Sequence, residues 1–157
     1  MITMGGTMRK TLILPVVLLP LVVFVGGVKL PRTFQELGIN VPFGLDTTVS
    51  DLDKAGGNLA KSDRFVALTT EGGQVLSITL SDDLKKVVKM VVLLNRPRAD
   101  NALKIMKDRY AAGNHYEKEQ SGPNEIHTWK DERTVIRLVS TQDFCRLELQ
   151  ARADMEK

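Results

Sequence analysis

The chain has 157 residues, with 22 Lys and Arg set against 19 Asp and Glu for a net charge of +3. Arg9, Lys10 and Lys29 flank an apolar run near the N-terminus and account for that excess, so the rest of the chain is close to neutral. With acids spread among the bases and no Lys/Arg cluster interleaved with aromatics, a nucleic-acid partner is excluded. The single cysteine, Cys145, has no intramolecular partner for a disulfide and reads as a small buried hydrophobe in step with Leu147 and Leu149.

Thr11 to Val28 carries no charge. A hydrocarbon core about 30 Å thick needs roughly 20 apolar residues of helix, so this run sits at the threshold of a membrane span. Arg9 and Lys10 before it supply the positive segment that holds such a leader's start in the cytoplasm. Residues 1–28 are therefore expected to be a leader, with MRKTLIL from Met8 a complete start. Two outcomes are open: a signal anchor that keeps the protein on the membrane through Thr11 to Val28, or a signal peptide cut near Gly27, where Val25 and Gly27 form a loose small-x-small site. In either case the body is exported.

After the leader, residues 29–45 read as a short, partly stiff tether. Thr33-Phe34-Gln35-Glu36 is a capping box, and Gly38 can supply the left-handed stop after one helical turn. From Thr47 or Thr48 the spacing of Val49, Leu52, Gly56 and Leu59 predicts a first helix, which Gly56-Gly57 ends or kinks. Asp51-x-Asp53-x-x-Gly56 imitates the opening of a calcium loop. Ala55 and Ser62 stand where ligands are required, so no metal site is expected.

Strands are expected at Arg64 to Thr70 and Gln74 to Ser81, joined through Glu71-Gly72-Gly73, with Leu76, Ile78 and Leu80 on the covered face. Val87 to Leu94 is ambiguous between helical spacing and β-branched composition; a strand is preferred, turned back along its predecessor by Ser81-Asp82-Asp83. A second helix, capped by Asp100, places Leu103, Met106 and Tyr110 on one stripe that faces the sheet and ends at Gly113. The remaining strands are expected around Tyr116 to Gln120, Glu125 to Lys130, Thr134 to Ser140 and Cys145 to Ala151, with residues 152–157 a fraying tail.

For the last two strands charge selects between registers. A two-residue loop would set Arg137 opposite Arg146, whereas a four-residue loop, Thr141 to Phe144, sets Arg137 opposite Glu148 and Leu138 opposite Leu147. The second register is expected, with an Arg137–Glu148 ion pair as its reason.

Together these elements predict an α+β fold. An N-terminal hydrophobic helix is followed by a two-layer sandwich over residues 46–151, an antiparallel sheet with two main helices on one face, arranged as two similar helix-plus-strands halves. Gly44-Leu45-Asp46-Thr47-Thr48-Val49, together with the Trp129 strand and the Val135 to Val139 strand, resembles small bacterial envelope proteins of the type of the outer-membrane assembly lipoprotein BamE and the β-lactamase-inhibitor protein. That resemblance implies a binding protein rather than an enzyme. The lipoprotein cysteine of the first is missing, and no functional residue is carried over.

No P-loop, G-x-S-x-G, H-E-x-x-H or C-x-x-C motif occurs, so no catalytic residue, cofactor or metal is assigned. His127 and Trp129 share one face of a strand and are the candidates for lining a pocket or its rim. The expected function is a membrane-tethered, non-catalytic interaction module of the cell envelope whose partner is another envelope protein. The alternative is a small-molecule or lipid binder, or an enzyme of unrecognised type, in the same compartment. A deep cavity with convergent polar groups would favour the alternative, and a filled core the interaction module.

Overall fold

The computed structural model describes residues 27–54, 60–62, 64–70, 73–111 and 113–152. Its strands are β1 (Ala60–Ser62), β2 (Phe65–Thr69), β3 (Val75–Leu80), β4 (Val87–Leu94), β5 (His115–Ser121), β6 (Asn124–Lys130), β7 (Thr134–Ser140) and β8 (Cys145–Ala151). They form one sheet in the order β1-β2-β3-β4-β8-β7-β6-β5, with every neighbouring pair antiparallel. Two four-stranded meanders thus meet at the β4–β8 pair. Helix α1 spans Val49–Lys54, and helix α2 spans Arg96–Ile105 before passing into a π-helical turn at Met106–Tyr110.

Local chemistry accounts for these elements. In β2 and β3 burial alternates strictly, so Val66, Leu68, Leu76, Ile78 and Leu80 enter the core while Phe65, Ala67, Val75 and Ser77 point outward. Strand β4 follows the expected bounds, Val87 to Leu94, with Val87, Met90, Val92 and Leu94 inward. The β5–β6 hairpin closes through a two-residue Gly122-Pro123 loop, and Gly122 has φ of +59°, the left-handed value that a type II′ turn demands at its first central position.

The helix-covered sandwich expected from the sequence is corrected by this architecture: the fold is dominated by its sheet, and α2 is the one helix of substance among the described residues. Helix α1 is described over six residues, capped by the Thr48 hydroxyl accepting from the Asp51 N–H, and of its residues only Leu52 is fully enclosed. These six residues offer too little apolar face to cover half a sheet. The covering is supplied instead by the segment expected as a tether. Leu30, Phe34, Leu37, Ile39, Val41, Phe43 and Leu45 are all buried in the common core.

That segment is held by a 3-10 turn at Gln35–Leu37, a β-bridge between Thr33 and Gly44, and side-chain bonds rather than by a long helix or strand. The capping box forms as expected: the Glu36 N–H donates to Thr33 Oγ1 at 3.3 Å and the Thr33 N–H to Glu36 Oε2 at 3.1 Å. Gly38, at φ of +76°, closes the turn. Arg32 then ties the start of the segment to its end and to the second half of the sheet, pairing with Asp46 and donating to the Arg133 carbonyl and Thr134 Oγ1.

Helix α2 begins earlier than expected. Asn95, not Asp100, is its cap, accepting from the Arg98 N–H at 3.2 Å, and Pro97 lies in the first turn, where a missing N–H costs nothing. Its inward stripe is Ala99, Ala102, Met106 and Tyr110, with Leu103 packed against the same core.

The last hairpin has the expected register, Arg137 opposite Glu148 and Leu138 opposite Leu147, but the ion pair that motivated it is not the one formed. Glu148, 7% exposed, contacts Lys89 Nζ at 3.2 Å and Arg146 Nε at 2.7 Å. One cation comes from β8 itself, two residues away, and the other from β4 across the central pair, which a two-strand argument does not contain.

The leader Thr11 to Val28 lies outside the described residues apart from Gly27 and Val28. Among the described residues no helix is long and apolar enough to cross a membrane, and the reading of this protein as a transmembrane, signal-anchored one is withdrawn on that finding.

Candidate functional site

The II′ loop fixes the β5–β6 register, setting Tyr116 opposite Trp129 and Lys118 opposite His127. Tyr116, Lys118 and Gln120 of β5 therefore share the inner face with Glu125, His127 and Trp129 of β6. Here, at the edge of the sheet, the inner face changes from apolar to polar. His127 and Trp129, the two residues singled out from the sequence, are each 1% exposed, and their rings stack with centroids 5.8 Å apart. Tyr116 covers both, 5.2 Å from the Trp129 ring and 6.0 Å from that of His127.

A buried imidazole needs both nitrogens satisfied. Tyr116 Oη lies 2.8 Å from His127 Nδ1, and Glu125 Oε1 lies 2.6 Å from Nε2. The second carboxylate oxygen of Glu125 receives Lys118 Nζ at 2.9 Å. The result is a continuous chain, Lys118–Glu125–His127–Tyr116, running from solvent to the stacked rings. The sequence reading missed Tyr116, Glu125 and Lys118. The signal for them was the Gly122-Pro123 turn, whose two-residue loop dictates which residues face His127 and Trp129 across the hairpin.

Hydrogen bonds from Lys118 and then His127 hold the Glu125 carboxyl below its ordinary value of 4.5, and on the other face His115 and then Lys130 do the same for Glu117. A depressed folded value means that both carboxylates contribute stability above pH 4.5, and that the contribution is lost as the pH falls through the folded values below it. Acid titration should therefore loosen the β5–β6 hairpin first below pH 4.5, read as faster amide exchange there, with a flatter slope in Glu125→Gln.

Among the described residues, two surface clefts flank the inner layer. One of about 270 Å³ is lined by Lys29, Asn114, Asp131, Glu132 and Arg133; another of about 250 Å³ is lined by Asn40, Thr70, Gln74 and Arg98. Both fall below the roughly 300–1,000 Å³ of ordinary small-molecule sites. The interior between sheet and covering layer is filled by Trp129, Phe34, Leu37, Leu52, Met90 and Met106. No group of three or more His, Cys, Asp or Glu with metal-holding geometry occurs among the described residues.

The outer face of the sheet is divided. On β2 and β3 its positions are Phe65, Ala67, Thr69, Val75, Ser77 and Thr79, continued on β4 by Val91 and Leu93, none of them charged; Lys89, opposite Thr79, is where charge begins on β4. Lys89, Glu148, Arg146, Arg137, Lys130 and Glu117 carry charge on the same face from β4 across to β5. Phe65, Val75 and Leu93 are 64%, 57% and 56% exposed, which places large apolar groups in water on one uncharged quarter of the sheet.

No protein-family model matches the sequence, and no curated protein matches it. Among solved structures the chain is similar to a DUF4309 family protein, YjgB, from Bacillus subtilis, at 14% identity and a TM-score of 0.45, over 68% of this chain and 79% of that one. A likeness at that level carries no argument about function.

Proposed function

We propose that the protein is an exported, non-catalytic interaction module of the cell envelope that binds another protein through the outer face of its sheet. The observation that supports this reading is the exposure of Phe65, Val75 and Leu93 on a part of the outer face where β2 and β3 carry no charged side chain, because large apolar groups held in water are characteristic of protein contacts. The filled interior between sheet and covering layer favours the same reading over a small-molecule or lipid binder. Export rests on the charged start and apolar run of the leader, and cleavage near Gly27 would release the body as a secreted domain.

A photo-crosslinker placed at Val75 in the native host is expected to yield one discrete protein adduct, which Phe65→Asp and Leu93→Asp each abolish. Exposed substitutions of this kind change stability by only about 0.5 kcal/mol, so a loss of the adduct would report on binding rather than folding. No adduct, or one that survives both aspartates, would rule out this face as the interface.

A further inference from the structure

We propose that Tyr116 is a nucleophilic phenol, a site at which a small activated acyl donor is captured covalently, with His127 accepting the phenolic proton and Glu125 orienting the imidazole. This goes beyond the protein-binding reading and does not depend on it.

The geometry fixes the roles. An ionised carboxylate only accepts hydrogen bonds, so the 2.6 Å contact between Glu125 Oε1 and His127 Nε2 places the imidazole proton on Nε2. In the neutral ring Nδ1 then carries a lone pair, and across the 2.8 Å contact Tyr116 Oη is the donor. Nucleophile, base and orienting carboxylate are thus in hydrogen-bond sequence, the arrangement by which a weak hydroxyl nucleophile is activated. Trp129 and His127 stack beneath the Tyr116 ring and hold Oη on the base. Access is open on the other side: Tyr116 is 40% exposed, and β5 is the edge of the sheet.

In the step itself, the Tyr116 Oη–acyl bond forms as the bond from the acyl carbon to its leaving group breaks. The phenolic proton passes to His127 Nδ1 and then to the departing group, so His127 returns to its neutral form and the protein is left as the tyrosyl ester. The donor class is an activated ester, thioester or acyl azole, and no oxidant or metal is needed.

Tyr110 provides an internal control. It is 9% exposed, and burial, followed by the charge of Glu36, raises its phenol above the ordinary value of 10.0. Both histidines bond elsewhere, His115 to Glu117 and His127 to Tyr116 and Glu125, so the Tyr110 phenol has no imidazole base.

The test is acetylation of the full chain by N-acetylimidazole near neutral pH, with each tyrosine followed by peptide mass mapping against N-acetyltyrosine amide in the same solution. A positioned base contributes on the order of 10²–10⁴-fold in such steps. Tyr116 is accordingly expected to react at least about tenfold faster than the free amide, with Tyr110 slower than the amide. His127→Gln, which can accept the hydrogen bond but not the proton, should bring Tyr116 down to the free rate. Glu125→Gln, made at a partly exposed position that leaves the core untouched, should lower the rate severalfold with an unchanged circular dichroism spectrum. Tyr116 acetylated no faster than the free amide would overturn the proposal. So would a Glu125→Gln protein that is folded and reacts as wild type, whatever His127→Gln does to folding.

Discussion

Phe34→Ala is expected to lower the stability of the protein by about 3–5 kcal/mol, the usual cost of truncating an enclosed Phe to Ala. Phe34 is 0% exposed, although it belongs to no regular helix or strand, and it lies in the same cluster as Leu37, Leu52 and Met90. Truncation would leave a cavity between the covering segment and the sheet, which the reciprocal Thr33–Glu36 bonds and the Arg32 contacts prevent from collapsing. Against a total stability of roughly 5–15 kcal/mol for an ordinary domain, such a loss is a large share of the whole. Denaturant unfolding of the two proteins checks it through the shift in midpoint. A change within about 0.5 kcal/mol would mean that residues 30–45 behave as surface chain and that the sheet is stable without them.

Trp129→Ala should be as costly, again about 3–5 kcal/mol, for a different reason. Trp129 stands at the join of the apolar core and the polar edge, opposite Ile136 on β7 and Tyr116 on β5. Its removal takes away the apolar floor on which the His127 and Tyr116 rings stack and admits water beside the buried imidazole, so packing and hydrogen-bond exclusion are lost together. Trp129→Phe retains part of the ring area and is expected to cost less than half as much. Because Trp129 is the protein's single tryptophan, wild-type emission reports on it directly. It should be blue-shifted in the folded state and move red in one transition on unfolding. An alanine variant as stable as wild type would show that the stack is a surface ornament rather than part of the core.

What could be read in advance was the part of the structure governed by short-range rules. The bounds of β4, β7 and β8 coincide with the expected Val87 to Leu94, Thr134 to Ser140 and Cys145 to Ala151, because alternation of side chains and the Ser81-Asp82-Asp83 and Thr141 to Phe144 turns are local properties. The capping box at Thr33 and Glu36 was legible for the same reason. His127 and Trp129 could be placed on one face of one strand. Their partners across the hairpin depend in addition on the two-residue Gly122-Pro123 turn, whose length sets the register.

Two features follow from the tertiary structure alone. Within residues 30–45, Leu37, Ile39, Val41, Phe43 and Leu45 alternate with the period of a strand, but Pro42 and the glycines Gly38 and Gly44 break that pattern up, so the segment reads as a tether; its burial depends on an inner sheet face that only the assembled chain presents. The joining of the two meanders through β4 and β8 is likewise a long-range pairing, and it decides the electrostatics of the last hairpin. Arg137 was chosen as the partner of Glu148 from the two strands that a linear reading brings together. Arg146 and Lys89 make that contact instead, and for Lys89 it is strand order rather than sequence distance that sets which charges meet. The amino-acid pattern settles which residues turn inward and where strands end, since those depend on neighbours a few positions away. Which surfaces then cover one another depends on the total apolar area each element can offer, and that sum exists only once the whole chain is assembled.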